Sequence, residues 1–258
     1  MRHHVRMRAG ADVATPEFDR IDPPGAGGRE RSGPPYLRRP TKAQLRVATV
    51  SKSSSSAHER IVWIDCEMTG LDLERDALIE VAALVTDYEL QPLGEGIEVV
   101  IRPEPQALEQ MGDFVRTMHT ESGLLAVLED GLTMEEAQAT VLDYVREHAP
   151  TPRKSPLGGN TVGTDRTFLV RDMPELEGHL HYRNIDVSSI KELARRWYPR
   201  VFHHAPAKHG GHRALADIKD SIAELRYYRE AVFVPLPGPD SATAKELGAR
   251  HAALRADL

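Results

Sequence analysis

The pattern of apolar and polar positions predicts an α/β domain in the middle of the chain. Short apolar runs joined by connections that contain Gly or Asp are typical of an antiparallel meander. The predicted strands of this meander cover residues 60–65, 78–87 and 96–102. Two more short strands, over 157–160 and 184–187, are each followed by a predicted helix. This order favours a mixed five-stranded sheet with helices on both sides.

Helical spacing is found between and after the strands. Thr133 and Glu136 form a capping-box pattern, and apolar residues then recur every fourth position, which predicts a helix over 133–148. Three more helices are predicted to begin near Thr164, Ser188 and Arg213. On the last of them Asp217 lies beside the apolar stripe near the first turn, so its carboxylate is expected to face the sheet edge.

The two ends of the chain differ from this middle part. Residues 1–58 are dominated by Pro, Gly, Ser and Arg without a sustained apolar period, which predicts a disordered extension. Its arginines are typical of a mitochondrial transit peptide but its acidic residues are not, and a start codon placed too early would explain the segment equally well. Residues 59–233 are predicted to form a single domain, and 234–258 a C-terminal tail that could include a short helix.

Charge limits the nucleic acids that such a domain could bind. Residues 1–58 carry eleven Lys or Arg against five Asp or Glu, a net charge of +6, which leaves −12 for the rest of a chain whose total is −6. A protein that grips long nucleic acid usually presents a basic track to the phosphates. The acidic domain therefore argues against processive work on long duplexes and permits very short substrates.

The cysteine content and the hydropathy of the chain indicate a compartment. The single cysteine, Cys66, excludes a disulfide within the chain and suits a reducing cytoplasm. No apolar stretch of about 18 residues is present, and the first residues lack the apolar segment of a signal peptide. We therefore expect a cytoplasmic protein without a membrane partner.

Four carboxylates and one histidine are the candidates for catalysis. Asp65 and Glu67 occupy alternate positions at the end of a predicted strand, so their side chains point the same way. Asp165, His212 and Asp217 follow in two other places. Carboxylates suit Mg²⁺, and a histidine beside two ions can take the proton of an attacking water. Singly, each could equally be a turn former, a helix-start charge or a solvated surface residue.

The sequence motifs around these residues resemble those of one protein family. IVWIDCEMTGL, GNTVGTDRTFL and GHRALAD resemble the three motifs of the DEDDh 3′→5′ exonucleases, which have an RNase H-like fold. VRTMHTESGL and MPELEGHLHYRNIDVSSIKELARRW narrow the resemblance to the oligoribonuclease family. The likeness runs from about Arg60 to about Phe233.

The resemblance implies a site with two divalent ions, Mg²⁺ or Mn²⁺. Asp65, Glu67 and Asp217 would hold one ion and Asp65 the second, with Asp165 assisting directly or through water. His212 would act as the base. His203, His204 and His209, which lie nearby in the sequence, are interpreted as an incidental surface run rather than a zinc site.

The resemblance also implies substrate contacts. Leu71 would wedge against the terminal bases and Phe114, where relatives often have Trp, would stack on them. His119 would approach the scissile phosphate. Thr161, in place of the more usual Ser, and Ser188 would lie around the 5′ phosphate. Tyr182 and Arg183 would reach into the neighbouring subunit's site, which implies a homodimer.

The function that we expect from the sequence is 3′→5′ exonucleolytic degradation of short single-stranded RNA, especially dinucleotides, to 5′-mononucleotides. One alternative is an exonuclease that trims longer RNA or DNA ends, which would need a basic surface. The other is a non-catalytic RNA-binding dimer, which would have little use for all five catalytic residue types.

Overall fold

The structure, a computed structural model, describes residues 59–207 and 211–254. The extension predicted over 1–58 and His209 lie outside the described residues, so their interpretation stays a prediction. The described residues contain one mixed five-stranded sheet. Its strands are β1 (Arg60–Met68), β2 (Leu78–Asp87), β3 (Ile97–Val100), β4 (Pro156–Gly159) and β5 (His181–Asp186).

The sheet has the strand order β3-β2-β1-β4-β5. The first three strands form the predicted antiparallel meander, whereas β4 pairs in parallel with both β1 and β5. The mixed five-stranded sheet predicted from the sequence is thus confirmed. Strand β5 begins three residues earlier than predicted, at His181, and β3 is shorter than predicted.

Nine α-helices and a 3₁₀ helix over Leu124–Asp130 accompany the sheet in the described residues. The α-helices are α1 (Pro105–Gln110), α2 (Asp113–Glu121), α3 (Met134–His148), α4 (Gly163–Asp172), α5 (Pro174–His179), α6 (Val187–Trp197), α7 (Pro199–His203), α8 (Ala214–Ala231) and α9 (Ser241–Leu254). Helix α9 lies in the predicted C-terminal tail and buries none of its residues. None of the helices in these described ranges combines the length and apolar character that a membrane span needs.

The two faces of the sheet bury different residues of β1. Val62 and Ile64 belong to the cluster that includes the apolar faces of α3 and α4, whereas Ile61 and Trp63 pack with residues of α6 and α8. This division follows from the period of two along a strand. Continued to the end of β1, the same alternation directs Asp65 toward the α8 side, so the predicted catalytic residues of β1 lie on the face that α8 covers.

Candidate metal centre and active site

Three carboxylates meet at the carboxyl end of β1. Asp65 and Glu67 come from alternate positions of the strand, and Asp217 comes from the first turn of α8, which packs on the same face. One carboxylate oxygen of each residue lies within 4.8 Å of those of the other two. Carboxylate oxygens at this spacing are the ligands that a hard divalent cation prefers. The first turn of α8 thus supplies the ligand that β1 alone lacks.

The electrostatics of this cluster favour a cation. Glu67 is only 8% exposed. Burial, followed by the negative charges of Glu80, Asp217 and Asp165, raises the pKa of Glu67 to about 8, while Arg213 opposes this shift. A divalent ion would relieve the repulsion among these carboxylates and would stabilise their ionised forms. The residues present therefore fit a divalent metal ion.

Asp165 lies beside this cluster but outside the group of three. It occupies the first turn of α4, on the other side of β1, and its Oδ1 accepts a 3.0 Å hydrogen bond from the Cys66 backbone N–H. Burial raises the pKa of Asp165 to about 6, although its hydrogen bonds oppose the shift. Burial and the surrounding carboxylates also raise the pKa of the Cys66 thiol well above its usual value. Cys66 therefore stays a neutral thiol beside the oxygen ligands.

The two histidines near the cluster differ in their surroundings. His212 is exposed and adopts a left-handed backbone with φ of 59°, directly after Gly211, which has φ of 63°. His119 is fully buried, and its Nε2 lies 2.9 Å from the Met68 carbonyl oxygen. Because a carbonyl only accepts, Nε2 carries the proton. Nδ1 then has no hydrogen-bond partner among the described residues.

The position of His119 connects it with the carboxylates. Its Nδ1 lies 3.9 Å from Glu67 Oε2. Burial lowers the pKa of His119, and the nearby His212 lowers it further. The structure thus places His119 behind Glu67, in the interior, and its predicted contact with the substrate stays a prediction.

Two of the predicted base contacts project from the domain. Leu71 is 73% exposed and Phe114 is 81% exposed. Leu71 follows β1, and Phe114 is the second residue of α2. Exposed apolar surface of this kind is suited to stacking on bases, which every base permits through its flat face.

The predicted phosphate contacts lie together just after the ends of β4 and β5. The hydroxyls of Thr161 and Ser188 are 3.1 Å apart. Their backbone N–H groups both donate to Asp186 Oδ1, at 3.1 and 2.9 Å. Ser188 also donates to Asn160 Oδ1 at 2.9 Å. The two hydroxyls are therefore held by a common network.

Tyr182 and Arg183 lie on β5, an edge strand of the sheet. Both are exposed, and the Arg183 guanidinium carbon is 5.4 Å from the centre of the Tyr182 ring. In the sheet, β4 separates β5 from β1, the strand that carries Asp65 and Glu67. A position at an exposed edge is compatible with the predicted contact to another subunit.

Sequence reasoning missed several polar residues around the site. Glu80 is fully buried in β2 and faces Glu67 across the strand pair. Arg213 bonds to Glu80 and to Glu98 of β3. The signal for Glu80 was available, because a charged residue within the apolar run LIEVAALV needs a buried partner. Its partner, 133 residues away, could not be read from the pattern.

The chain is similar to known exonucleases. An exonuclease family model, RNase T, matches residues 62–225. The oligoribonuclease of Streptomyces coelicolor is 68% identical over 194 residues, which cover 75% of this chain and 97% of that protein. The oligoribonuclease of Cutibacterium acnes is 64% identical over 191 residues, which cover 74% of this chain and 95% of that protein. Among solved structures, exonuclease I of Methylocaldum szegediense has 21% identity and a TM-score of 0.48, over 67% of this chain and 41% of that chain.

The mixed sheet, the acidic cluster and the family match define the class as a 3′→5′ exoribonuclease, a hydrolase. Since relatives of this name match at high identity over nearly their full length, the chain belongs to the oligoribonuclease family.

Proposed function

We propose that the protein degrades short oligoribonucleotides, dinucleotides above all, to 5′-mononucleotides by two-metal-ion hydrolysis. The observation that carries the mechanism is the group formed by Asp65, Glu67 and Asp217, whose carboxylate oxygens lie within 4.8 Å of one another. The oligoribonucleases among its relatives support a short RNA substrate. The acidic balance of residues 59–258 supports it as well, because a short RNA has few phosphates to neutralise.

The metal ligands follow from the positions of the carboxylates. Asp65, Glu67 and Asp217 would hold one ion, Mg²⁺ or Mn²⁺, and Asp65 would contribute to the second. Asp165, fixed by the Cys66 N–H, would assist directly or through water. When bound, such ions activate water and neutralise charge on the leaving oxygen.

His212 takes the proton of the attacking water in this proposal. Imidazole is suited to this exchange near neutral pH. Its exposure and its place two residues before the start of α8 leave the ring open to a substrate at the cluster. The P–O3′ bond breaks as the water oxygen bonds to phosphorus, and the released 3′ oxygen of the upstream nucleotide takes a proton from solvent. The protonated imidazole gives the water's proton back to solvent, and the 3′-terminal nucleotide leaves with the new 5′ phosphate.

The remaining side chains bind and orient the RNA. Leu71 and Phe114 offer apolar surface to the bases and therefore read no sequence. Thr161 and Ser188 present paired hydroxyls to the 5′ phosphate of the substrate. His119, whose Nδ1 lies 3.9 Å from Glu67 Oε2, would approach the scissile phosphate.

A homodimer would explain the selection of short chains. Tyr182 and Arg183 of one subunit would close the substrate groove of the other, where the arginine fork recognises a phosphate and the ring blocks longer RNA. Exposed apolar residues on α6, the helix that follows β5, support such an interface, namely Leu193 and Trp197. A cytoplasmic location is proposed from the lone cysteine.

The test compares 5′-labelled RNAs of two, five and twenty nucleotides with Mg²⁺ or Mn²⁺. Rapid conversion of the dinucleotide and slow attack on the twenty-nucleotide RNA are expected. Preference for the longest RNA would retain the nuclease but contradict the closed groove. Absence of metal-dependent cleavage from all three RNAs would contradict the proposed function.

A further inference from the structure

The N-terminus of α8 is capped by carboxylates from the sheet. Its N-cap residue, Arg213, makes no side-chain capping bond to the helix. Instead, the Ala214 N–H donates to Glu80 Oε2 at 3.0 Å, and the Leu215 N–H donates to Glu98 Oε1 at 3.1 Å. The first N–H groups of a helix need such acceptors, and negative charge is stabilised there by the helix dipole. Strands β2 and β3 thus hold the first turn of α8.

The Arg213 guanidinium closes this arrangement. Its Nε donates to Glu80 Oε1 at 3.0 Å, and its Nη2 donates to Glu98 Oε2 at 2.8 Å. Each carboxylate therefore accepts one hydrogen bond from a backbone N–H of α8 with one oxygen and one from the guanidinium with the other oxygen. We call Glu80, Glu98 and Arg213 the helix clamp. Only a planar fork can serve two carboxylates in this way, because the lysine head is a single point charge.

Arg213, the helix residue of the clamp, lies in the sequence between His212 and Asp217, which both belong to the proposed mechanism. His212 directly precedes Arg213, and Asp217 follows it by about one helical turn. Glu80 is the cross-strand neighbour of Glu67, so the clamp is tied to the metal cluster from the sheet side as well. The left-handed backbone of His212 is unfavourable for a residue with a side chain and persists only where its surroundings hold it.

We infer that Glu80, Glu98 and Arg213 are positioning residues that set the place of His212 and Asp217 relative to the ligands on β1. The inference rests on the proposed function of those two residues. The clamp acts at the start of α8, where a small displacement moves the base and a ligand together. Leu71, Thr161 and Ser188 lie on other elements. The hydroxyl of Ser188 is linked to α8 through Asn160, but this link reaches the helix at Ser221 and Glu224, beyond the first turn that the clamp holds.

The test is Arg213→Lys, with Arg229→Lys as the matched control. Both arginines belong to the α8 region and pair with a carboxylate, and their side chains are 35% and 34% exposed. Arg229, however, pairs with Glu89, far along the helix from the cluster. Three quantities are measured, namely kcat and KM for a dinucleotide, the affinity for Mn²⁺ in the absence of RNA, and the melting temperature.

We expect Arg213→Lys to lower kcat by about tenfold or more, because small displacements of catalytic groups are costly. KM should stay within about twofold of the wild-type value, since uniform substrate binding is retained. Mn²⁺ should bind more weakly as Asp217 loses its fixed position. Arg229→Lys should change none of these quantities, and both variants should melt close to the wild-type temperature.

Wild-type kcat and wild-type Mn²⁺ affinity in a folded Arg213→Lys protein would overturn the inference. If that variant does not fold, Glu98→Gln replaces it, because Glu98 is partly exposed and Gln can still accept from the Leu215 N–H. Wild-type values in Glu98→Gln would then overturn it equally. A wild-type protein that cleaves no RNA would contradict the proposed function alone, and weaker Mn²⁺ binding in Arg213→Lys would still support the clamp.

Discussion

At the scale of single residues, we expect each carboxylate of the cluster to be required for turnover. Asp65→Ala and Asp217→Ala each remove one of three clustered ligands, and we expect them to abolish RNA cleavage while the fold remains, since β1 and α8 keep their apolar contacts.

His212→Ala should retain metal binding and lose about 10²-fold or more of the rate, the usual contribution of a general base. Cleavage assays and circular dichroism check both expectations. Glu230→Gln, on the exposed far end of α8, is the control.

The buried Glu67 gives the metal-free protein a characteristic pH dependence. Its pKa is raised from 4.5 to about 8 on folding, so the folded state binds the proton more tightly than the unfolded state. The associated stability is fully present below pH 4.5 and is lost as the pH rises through about 8. Melting in EDTA should therefore reveal lower stability at pH 8 than at pH 6, relative to Glu67→Gln.

Two comparisons separate this effect from others. The difference between wild type and Glu67→Gln cancels the contributions of all titrating groups that the two proteins share. Added Mg²⁺ should stabilise the wild type more at pH 8 than at pH 6, because it competes with the proton for Glu67. An equal pH slope in the two proteins would show that Glu67 does not carry the effect.

At the scale of elements, α3 shows how a local pattern stabilises a helix far from the site. The Thr133 hydroxyl accepts from the Glu136 N–H at 3.2 Å, and the Glu136 carboxylate accepts from the Thr133 N–H at 3.0 Å, which completes the predicted capping box. Thr133→Ala should lower the free energy of unfolding by about 1 kcal/mol. Urea denaturation measures this loss, and kcat should not change.

Thr140→Ala provides the control for the capping box. Thr140 lies in the same helix, and its hydroxyl donates to the Glu136 carbonyl oxygen within the helix itself. Because alanine has the higher helix propensity, this change should leave the free energy of unfolding unchanged or slightly raise it. Equal losses in both variants would argue against the cap as the cause.

At the scale of the whole molecule, the proposed dimer can be tested by mixing subunits. Asp217→Ala inactivates the site of its own chain, whereas Arg183→Ala is expected to inactivate the site of the partner. In a mixed dimer, the site of the Arg183→Ala subunit keeps its own Asp217 and receives Arg183 from the Asp217→Ala subunit, so this one site is complete. Co-refolded equal amounts should therefore recover about a quarter of the wild-type rate, because half of the dimers are mixed and each has one complete site.

Two controls accompany the mixing experiment. Each variant alone should be inactive on dinucleotides and should sediment as a dimer. Trp197→Ala, which removes exposed apolar surface on α6, should weaken the dimer. Full activity of Arg183→Ala by itself, or no recovery in a verified mixed dimer, would contradict the contact between subunits.

The sequence by itself determined the features that depend on neighbouring residues. The alternation along β1 predicted that Asp65 and Glu67 share a face, the spacing on α8 predicted Asp217 in its first turn, and Thr133 with Glu136 predicted the start of α3. The structure confirms these placements. They are predictable because strand and helix periods are fixed by backbone geometry within a few residues.

Only the tertiary structure decided which distant residues meet. The pairing of Glu80 with Arg213 depends on the register of β2 against β1 and on the place where α8 crosses the sheet. The burial of His119 behind Glu67 depends likewise on how α2 packs near the end of β1. Such contacts join residues more than 50 positions apart, and their geometry is set by the packing of whole elements rather than by any local period.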